Sequence, residues 1–165
     1  LIYDAIICKN ESERNQFWFI RESAAESEKK ELEKSSSIKC LKHDISLPIS
    51  KIEPFHKEAQ KMINSIVPNT RTIFFGHLGD GNLHYNIFGN GSLPDGFQNK
   101  SLQITDNLYQ IVSTFNGSFS AEHGIGQLRK KSLMLHKDPI AYELMKNIKK
   151  QFDPNNIMNP EKIFI

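Results

Sequence analysis

The sequence predicts an α+β domain, an antiparallel sheet with helices on one face, and three observations lead there. Two strongly apolar runs, Thr70 to His77 and Leu83 to Phe88, lie close enough to pair as a hairpin across a glycine-rich loop. Several longer segments place apolar residues at helical spacing. Strand-like and helix-like segments are mixed along the chain, and nothing repeats.

The elements follow in order. Residues 2 to 8 are rich in Ile and Tyr and suit a strand. From about Ser12 to Leu32 the run is helical, with Phe17, Ile20 and Ala24 on one stripe and Arg21 set off from it. Lys34 and the serines 35 to 37 break that helix. Ile38 to Leu41 predicts a short strand, and Asp44 to Pro48 an extended turn. Ser50-Lys-Ile-Glu53 has the form of a capping box and opens a second helix. Its apolar face is Ile52, Phe55, Ala59, Met62, Ile63 and Ile66, and Pro68 follows its end.

After the hairpin runs, a polar loop (89 to 96) leads to a helix over about 98 to 115. Its stripe is Ile104, Leu108, Ile111, Val112 and Phe115, with Asn116-Gly117 as its C-cap. Ser118 to Ala121 is short and extended. A helix is expected to start near His123, and another at Asp138-Pro139, cap and first turn, running to Phe152.

Composition narrows the function classes. A chain of 165 residues, 38% hydrophobic and 24% charged, fits a soluble globular domain large enough to bury a core. Its net charge of +2 is too small to argue for nucleic acid or an anionic membrane surface. The basic residues between Lys29 and Lys61 have acidic neighbours and read as a solvated surface. No run approaches the roughly 20 apolar residues of a membrane span. Cys8 and Cys40 lie far apart and read as reduced thiols, which implies the cytoplasm, or the mitochondrial matrix in a eukaryote. Asn10, Asn90, Asn99 and Asn116 each head an Asn-x-Ser triplet and are expected in turns and caps. The chain opens at Leu1 inside an apolar run and reads as a piece of something longer.

The chemistry concentrates in GHLGDGNLH (76 to 84) and SAEHGIG (120 to 126). If Asp80-Gly81 forms a two-residue type I′ loop, Gly79 faces Asn82 and His77 faces His84. Opposed residues hold their Cβ atoms about 5 Å apart, a separation that suits two imidazoles sharing one metal ion. Period-two alternation places His77 with Ile73 and Phe75 on one face, together with His84, Asn86 and Phe88. An ordinary cross-strand histidine pair is the plainer alternative.

Glu122 adds a carboxylate. Two imidazoles and a carboxylate suit zinc, manganese or ferrous iron and leave coordination positions open. A structural zinc site would be closed by four ligands, usually with cysteine. Gly124-Ile125-Gly126 either lets a ligand approach the backbone or makes a tight strand-to-helix turn. Arg129 stands where a dinucleotide fingerprint would have its third glycine. Asn82, not lysine, follows Gly81, so there is no P-loop, and there is no Gly-x-Ser-x-Gly elbow.

GHLGDGNLHYNIF, GSFSAEHGIGQLRKKSL and FDPNNIMNPEKIF, with FWFIRES and KHDISLP before them, together resemble the C-terminal half of FAD-linked oxidases of the vanillyl-alcohol oxidase superfamily. These are the D-lactate, glycolate and D-2-hydroxyglutarate dehydrogenase relatives. The resemblance covers nearly the whole of residues 1–165. It implies a ferredoxin-like α+β substrate domain, with a C-terminal helical segment, capping an FAD held mainly by an N-terminal domain outside this chain. By motif position it implies His77, His84 and Glu122 as ligands of a divalent metal and His123 as general base. Asn86, Arg21 and Lys42 would bind a 2-hydroxy acid, and Asn159 would approach the flavin.

Two positions depart from the family's pattern. The last motif is usually Asn-Pro-Gly-Lys and here has Glu161, and Ala25 stands where hydroxyglutarate-type members carry a hydroxyl. The implied reaction is oxidation of a D-2-hydroxy acid to the 2-oxo acid, with hydride passing to flavin N5 and an unidentified acceptor reoxidising it. The piece alone is expected to be inactive, and a homodimer is compatible with the sequence. Two other classes stay open: a metal-dependent hydrolase using the same two histidines and glutamate, and a non-catalytic ferredoxin-like binding module.

Overall fold

The computed structural model describes residues 5–34, 39–89 and 94–165, and it falls into two compact units, residues 1–38 and 39–165. The first contains helix α1, Glu11–Lys34. Asn10 caps it: its Oδ1 accepts from the Glu13 backbone at 2.9 Å, and the Glu13 carboxylate accepts from the Lys9 backbone at 2.8 Å. Arg21 projects from α1 with its guanidinium 5.4 Å from the Trp18 ring. The strand expected at 2 to 8 is not formed over residues 5 to 8, which take no regular secondary structure; residues 2 to 4 lie outside the described residues. The Ala25 side chain also lies outside the described residues.

The second unit is built on β1 (Cys40–Ser46), β2 (Arg71–His77) and β3 (Asn82–Phe88), in the order β1-β3-β2, with both outer strands antiparallel to β3. A single antiparallel bridge, Ser46 to Ser118, adds a minimal fourth strand beyond β1. Its two hydrogen bonds are 2.8 and 2.9 Å. Taken with the helices between, this is a β-α-β-β-α order ending on a bridge, a split βαβ arrangement within an α+β fold.

Helix α2 (Ile52–Ile66) follows β1, and α3 (Pro94–Asn99) and α4 (Ser101–Thr114) follow β3. The inner face of the sheet contributes Ile45, Leu83, Tyr85 and Ile87; α2 contributes Phe55, Ala59 and Ile63; α4 contributes Ile104, Leu108 and Val112. All are buried, and each large apolar side chain among them contributes about 1.5–3 kcal/mol by leaving water. Helices α5 (Lys130–His136) and α6 (Pro139–Phe152) complete the unit.

Several boundaries differ from the sequence reading, each for a local reason. Strand β1 continues to Ser46, so Asp44 to Ser46 is strand and not turn; Ile38 lies outside the described residues. The capping box at Ser50 does not form. A 3-10 turn, Ile49–Lys51, closed by Lys51 N–H on the Pro48 carbonyl at 2.7 Å, leads directly into α2. Glu53 pairs instead with Lys57 at 2.7 Å.

The helix expected from 98 breaks at Lys100 into α3 and α4. Its far end does close at Asn116-Gly117. Asn116 takes φ 57°, Gly117 N–H bonds the Val112 carbonyl, and Asn116 N–H bonds that of Ser113. No helix starts at His123. Gly124 and Gly126 take φ of 71° and 54°, left-handed values that interrupt a helix, and α5 begins only at Lys130. At the start of α6, Asp138 accepts from Ala141 N–H at 2.9 Å with Pro139 in the first turn, as expected.

His43 lies on the core side of β1 and is 3% exposed. Its Nδ1–H donates to the Tyr85 carbonyl at 3.2 Å, which leaves Nε2 to accept from the Thr105 hydroxyl at 3.1 Å. Burial lowers its pKa from 6.5 to about 4, with the Arg129 charge acting the same way and the Tyr85 bond opposing. The unfolded chain therefore binds a proton between pH 6.5 and 4 that the folded chain refuses, and stability falls as pH drops through that window. The full effect is up to about 3 kcal/mol, from roughly 1.4 kcal/mol per pKa unit. Equilibrium denaturation across pH 7 to 4 should show this loss, and His43→Gln should remove most of the slope. An unchanged slope in that variant would assign the acid sensitivity elsewhere.

Candidate active site

Residues that alternate away from the core give the sheet a second, polar face. They are Lys42, Asp44 and Ser46 on β1, Asn82, His84 and Asn86 on β3, and His77 at the end of β2. The predicted pairing of His77 with His84 is not the one formed. His77 stands opposite Asn82, and His84 opposite Phe75. The slip amounts to two positions, so the side chains keep their predicted face.

Turn chemistry explains the slip. The loop holds four residues, Leu78 to Gly81, rather than two. The Asp80 side chain accepts from the Asn82 backbone at 3.0 Å, and only Gly81 takes a left-handed φ, 69°. A type I′ turn would need Asp80 left-handed as well. Gly81 is then pinned by Leu47, whose N–H bonds its carbonyl at 3.0 Å.

The segment after Ser118 crosses this polar face. Ala121 N–H reaches the Asp44 carbonyl at 3.3 Å. One oxygen of Asp44, Oδ2, accepts from the backbone N–H groups of Glu122 and His123 at 3.0 and 2.8 Å. Adjacent side chains on an extended strand would diverge, whereas this clamp turns both toward the sheet. His77 Nδ1 is 3.2 Å from Glu122 Oε1, and His84 Nε2 is 3.9 Å from Glu122 Oε2. The Asn82 amide also donates to Glu122 Oε1. The His123 ring lies against that of His84, centroids 5.7 Å apart at 27°, with its Nδ1 3.3 Å from Asp44 Oδ2.

Glu122 thus stands between the two predicted histidines, and His123 sits beside them. As they stand, no three His, Cys, Asp or Glu side chains among the described residues are arranged so as to hold a metal ion. Asn86 is 3% exposed on the same face, two residues along β3 from His84, and Lys42 pairs with it from β1. Arg21 belongs to the other unit. Asn159 lies in a turn of the C-terminal tail at φ 48°, and Glu161 follows at φ 60°, a value that suits the glycine of the usual motif. The tail is tied to the glycine loop by Ile163 N–H on the Gly126 carbonyl at 2.8 Å.

Three residues in this arrangement escaped the sequence reading: Asp44, Asn82 and Arg129. Arg129 stands 3.7 Å from Asp44 and donates to Ser120 Oγ at 3.0 Å and the Gly124 carbonyl at 3.1 Å. Burial alone would raise the Asp44 pKa. The two backbone N–H bonds, with His123 and Arg129 nearby, more than offset it and hold the carboxyl below its ordinary range. The alternation of Leu41, His43 and Ile45 with Lys42, Asp44 and Ser46 was the available signal for Asp44.

The sequence matches the family "FAD linked oxidases, C-terminal domain" over residues 1–163. The chain belongs to that family. Similar members include the D-2-hydroxyglutarate dehydrogenase of Stutzerimonas stutzeri (strain A1501), 35% identical over 99% of this chain and 34% of its own length. Another is the D-2-hydroxyglutarate dehydrogenase of Xanthomonas citri pv. viticola, 32% identical over 99% of this chain and 33% of its own length. The mitochondrial D-2-hydroxyglutarate dehydrogenase of Arabidopsis thaliana is 33% identical over 99% of this chain and 27% of its own length. This FAD-linked oxidase domain therefore spans about a quarter to a third of the curated relatives it matches. No helix among the described residues is long and apolar enough to cross a membrane.

Proposed function

We propose that the chain is the substrate-binding and catalytic domain of an FAD-dependent dehydrogenase that oxidises a D-2-hydroxy acid to the 2-oxo acid. The observation that carries this reading is the gathering of His77, His84, Glu122 and His123 on one polar face beside the buried Asn86. Relatives named for D-2-hydroxyglutarate support the substrate class.

By residue type the donor set suits a divalent cation, although as they stand no three such side chains among the described residues are arranged to hold one. Each imidazole directs a ring nitrogen at a different oxygen of Glu122, and ligand atoms around an ion with bonds of 2.0–2.1 Å stand about 3–3.5 Å apart. The His77 pair stands at that separation, 3.2 Å, and the His84 pair just outside it, 3.9 Å. His77, His84 and Glu122 would hold zinc, manganese or ferrous iron. Gly124 and Gly126 are separated from the first turn of α5 at Lys130, so among the described residues they offer no pyrophosphate cradle at a helix start. An N-terminal domain would hold the FAD in the main, and Asn159 would approach it. When bound, the metal supplies Lewis acidity at the substrate hydroxyl and the flavin supplies a hydride acceptor at N5.

The remaining roles belong to side chains. Asn86 and Lys42 line the polar face and orient the substrate, and the planar fork of Arg21 suits bidentate recognition of a carboxylate. His123 takes the hydroxyl proton.

The test is a visible absorption spectrum of the full-length protein before and after adding D-2-hydroxy acids. Bleaching of the oxidised flavin bands by a D-2-hydroxy acid and not by its L-enantiomer is the expected result. A flavin-free full-length protein would overturn this reading; hydrolysis of esters or amides with bound metal would then point to the hydrolase, and the absence of bound metal to the binding module.

A further inference from the structure

We propose that Asp44 is the positioning residue of this site, fixing the backbone turn at Glu122-His123 and holding the His123 ring with its proton on Nδ1. This rests on the reading of His123 as the general base, and it assigns a role to a residue outside the predicted set.

The geometry is specific to Asp44. Its side chain is among the largest that are fully buried, yet it is charged and sits on the polar face of the sheet. A buried carboxylate is costly unless it is paired and hydrogen-bonded. Oδ2 offsets part of that cost through two consecutive backbone N–H groups, at 3.0 and 2.8 Å, and through Arg129 at 3.7 Å, while Oδ1 is buried with no hydrogen-bond partner among the described residues. Those two N–H groups belong to the residues proposed as metal ligand and base. The same oxygen stands 3.3 Å from His123 Nδ1.

The ring is therefore held by an edge and a face. Asp44 takes the Nδ1 edge and the His84 ring takes one face, at 5.7 Å between centroids. An ionised carboxylate only accepts, so a neutral imidazole beside it keeps its hydrogen on Nδ1. The Nε2 lone pair is then left free to receive a proton. Arg129 supports the arrangement from behind by bonding Ser120 Oγ and the Gly124 carbonyl, which flank the Glu122-His123 turn.

The informative variant is Asp44→Asn, because its amide oxygen can still accept the two backbone N–H bonds. Two measurements are made on the full-length flavin-loaded protein. In the first, stopped-flow flavin reduction is followed in Asp44→Asn, His123→Ala and the double variant, with substrate affinity and metal content measured alongside. Asp44→Asn should slow reduction on the order of 10²-fold, with substrate affinity within a few-fold and metal retained. In the His123→Ala background the same change should have almost no further effect, since a residue acting through His123 has nothing left to act on. An equal loss in both backgrounds, or no loss in either, overturns the proposal.

The second measurement reads the ring directly. Histidine-labelled ¹⁵N spectra, with His123 assigned by its alanine variant, should show the proton on Nδ1 in the unmodified protein. In Asp44→Asn, whose amide oxygen takes the place of Oδ2, it should stay on Nδ1, and in Asp44→Ala, which has no acceptor there, it should shift toward Nε2. If His123→Ala keeps the full rate, the base assignment fails, while this spectrum still decides whether Asp44 sets the ring. An Nε2–H tautomer in the unmodified protein would refute the positioning role.

Discussion

Replacing His123 with alanine in the flavin-loaded full-length protein is expected to slow flavin reduction on the order of 10²- to 10⁴-fold, the usual contribution of a positioned general base. The variant should keep its metal and still bind substrate. Glu122→Gln should behave differently, although the two residues are neighbours. Glu122 stands between His77 and His84, whereas His123 points its Nδ1 at Asp44. Loss of the carboxylate should lower metal content and rate together, and added metal should restore part of the rate. Stopped-flow bleaching of the flavin, with metal content by mass spectrometry, separates the two. A metal-free His123→Ala beside a metal-loaded Glu122→Gln would show the roles reversed.

Much of this site could be read from the sequence, for a reason tied to strand geometry. The predicted register was wrong by two positions, and a shift of two leaves every side chain on its own face. A slip of one would have sent His77 to the core. The register itself could not be read because two turn chemistries compete at Gly79-Asp80-Gly81. The choice was made by the Asp80 side chain bonding the Asn82 backbone, a contact that a short sequence pattern does not specify.

Asp44 shows the limit from the other side. His43-Asp44 before a proline reads as a polar turn. Its strand character depends on a histidine buried against Thr105 and a carboxylate bonded to residues 78 and 79 positions away. Helices α2 and α4 were legible through their apolar stripes and α6 through its Asp138-Pro139 start, since these signals are local, whereas the starts of α2 and α4 were misplaced. The helix expected at His123 was not, since a glycine pair permits a helix start and a left-handed loop alike, and the Ile163 bond to Gly126 belongs to the loop.

That loop-defined register makes Gly81 the position where a single methyl group should do the most structural damage. Gly81 sits at φ 69°, and a Cβ built there would stand 1.9 Å from the Leu47 carbonyl oxygen. Neither term can be relieved by a rotamer change, because the clash is with backbone. Moving the Leu47 strand end would break its N–H bond to the Gly81 carbonyl. The left-handed conformation costs about 1–2 kcal/mol for a non-glycine residue and the lost bond about 1 kcal/mol. Reduced freedom of the unfolded chain returns about 0.4–1 kcal/mol. Gly81→Ala should therefore destabilise by about 1–2.5 kcal/mol before any strain is added, which lowers Tm by roughly 3–10 °C for a unit of this size. Gly79 supplies the control two residues away: its φ is ordinary and a Cβ there meets nothing within 4 Å. Gly79→Ala should stay within about 0.5 kcal/mol of the parent. Because Leu47 and Gly81 join the ends of β1 and β3, the Gly81 variant should also displace Asn82 and His77 from Glu122 and weaken metal retention. Thermal unfolding of the two variants side by side is decisive: equal Tm values would mean that the loop does not fix the register.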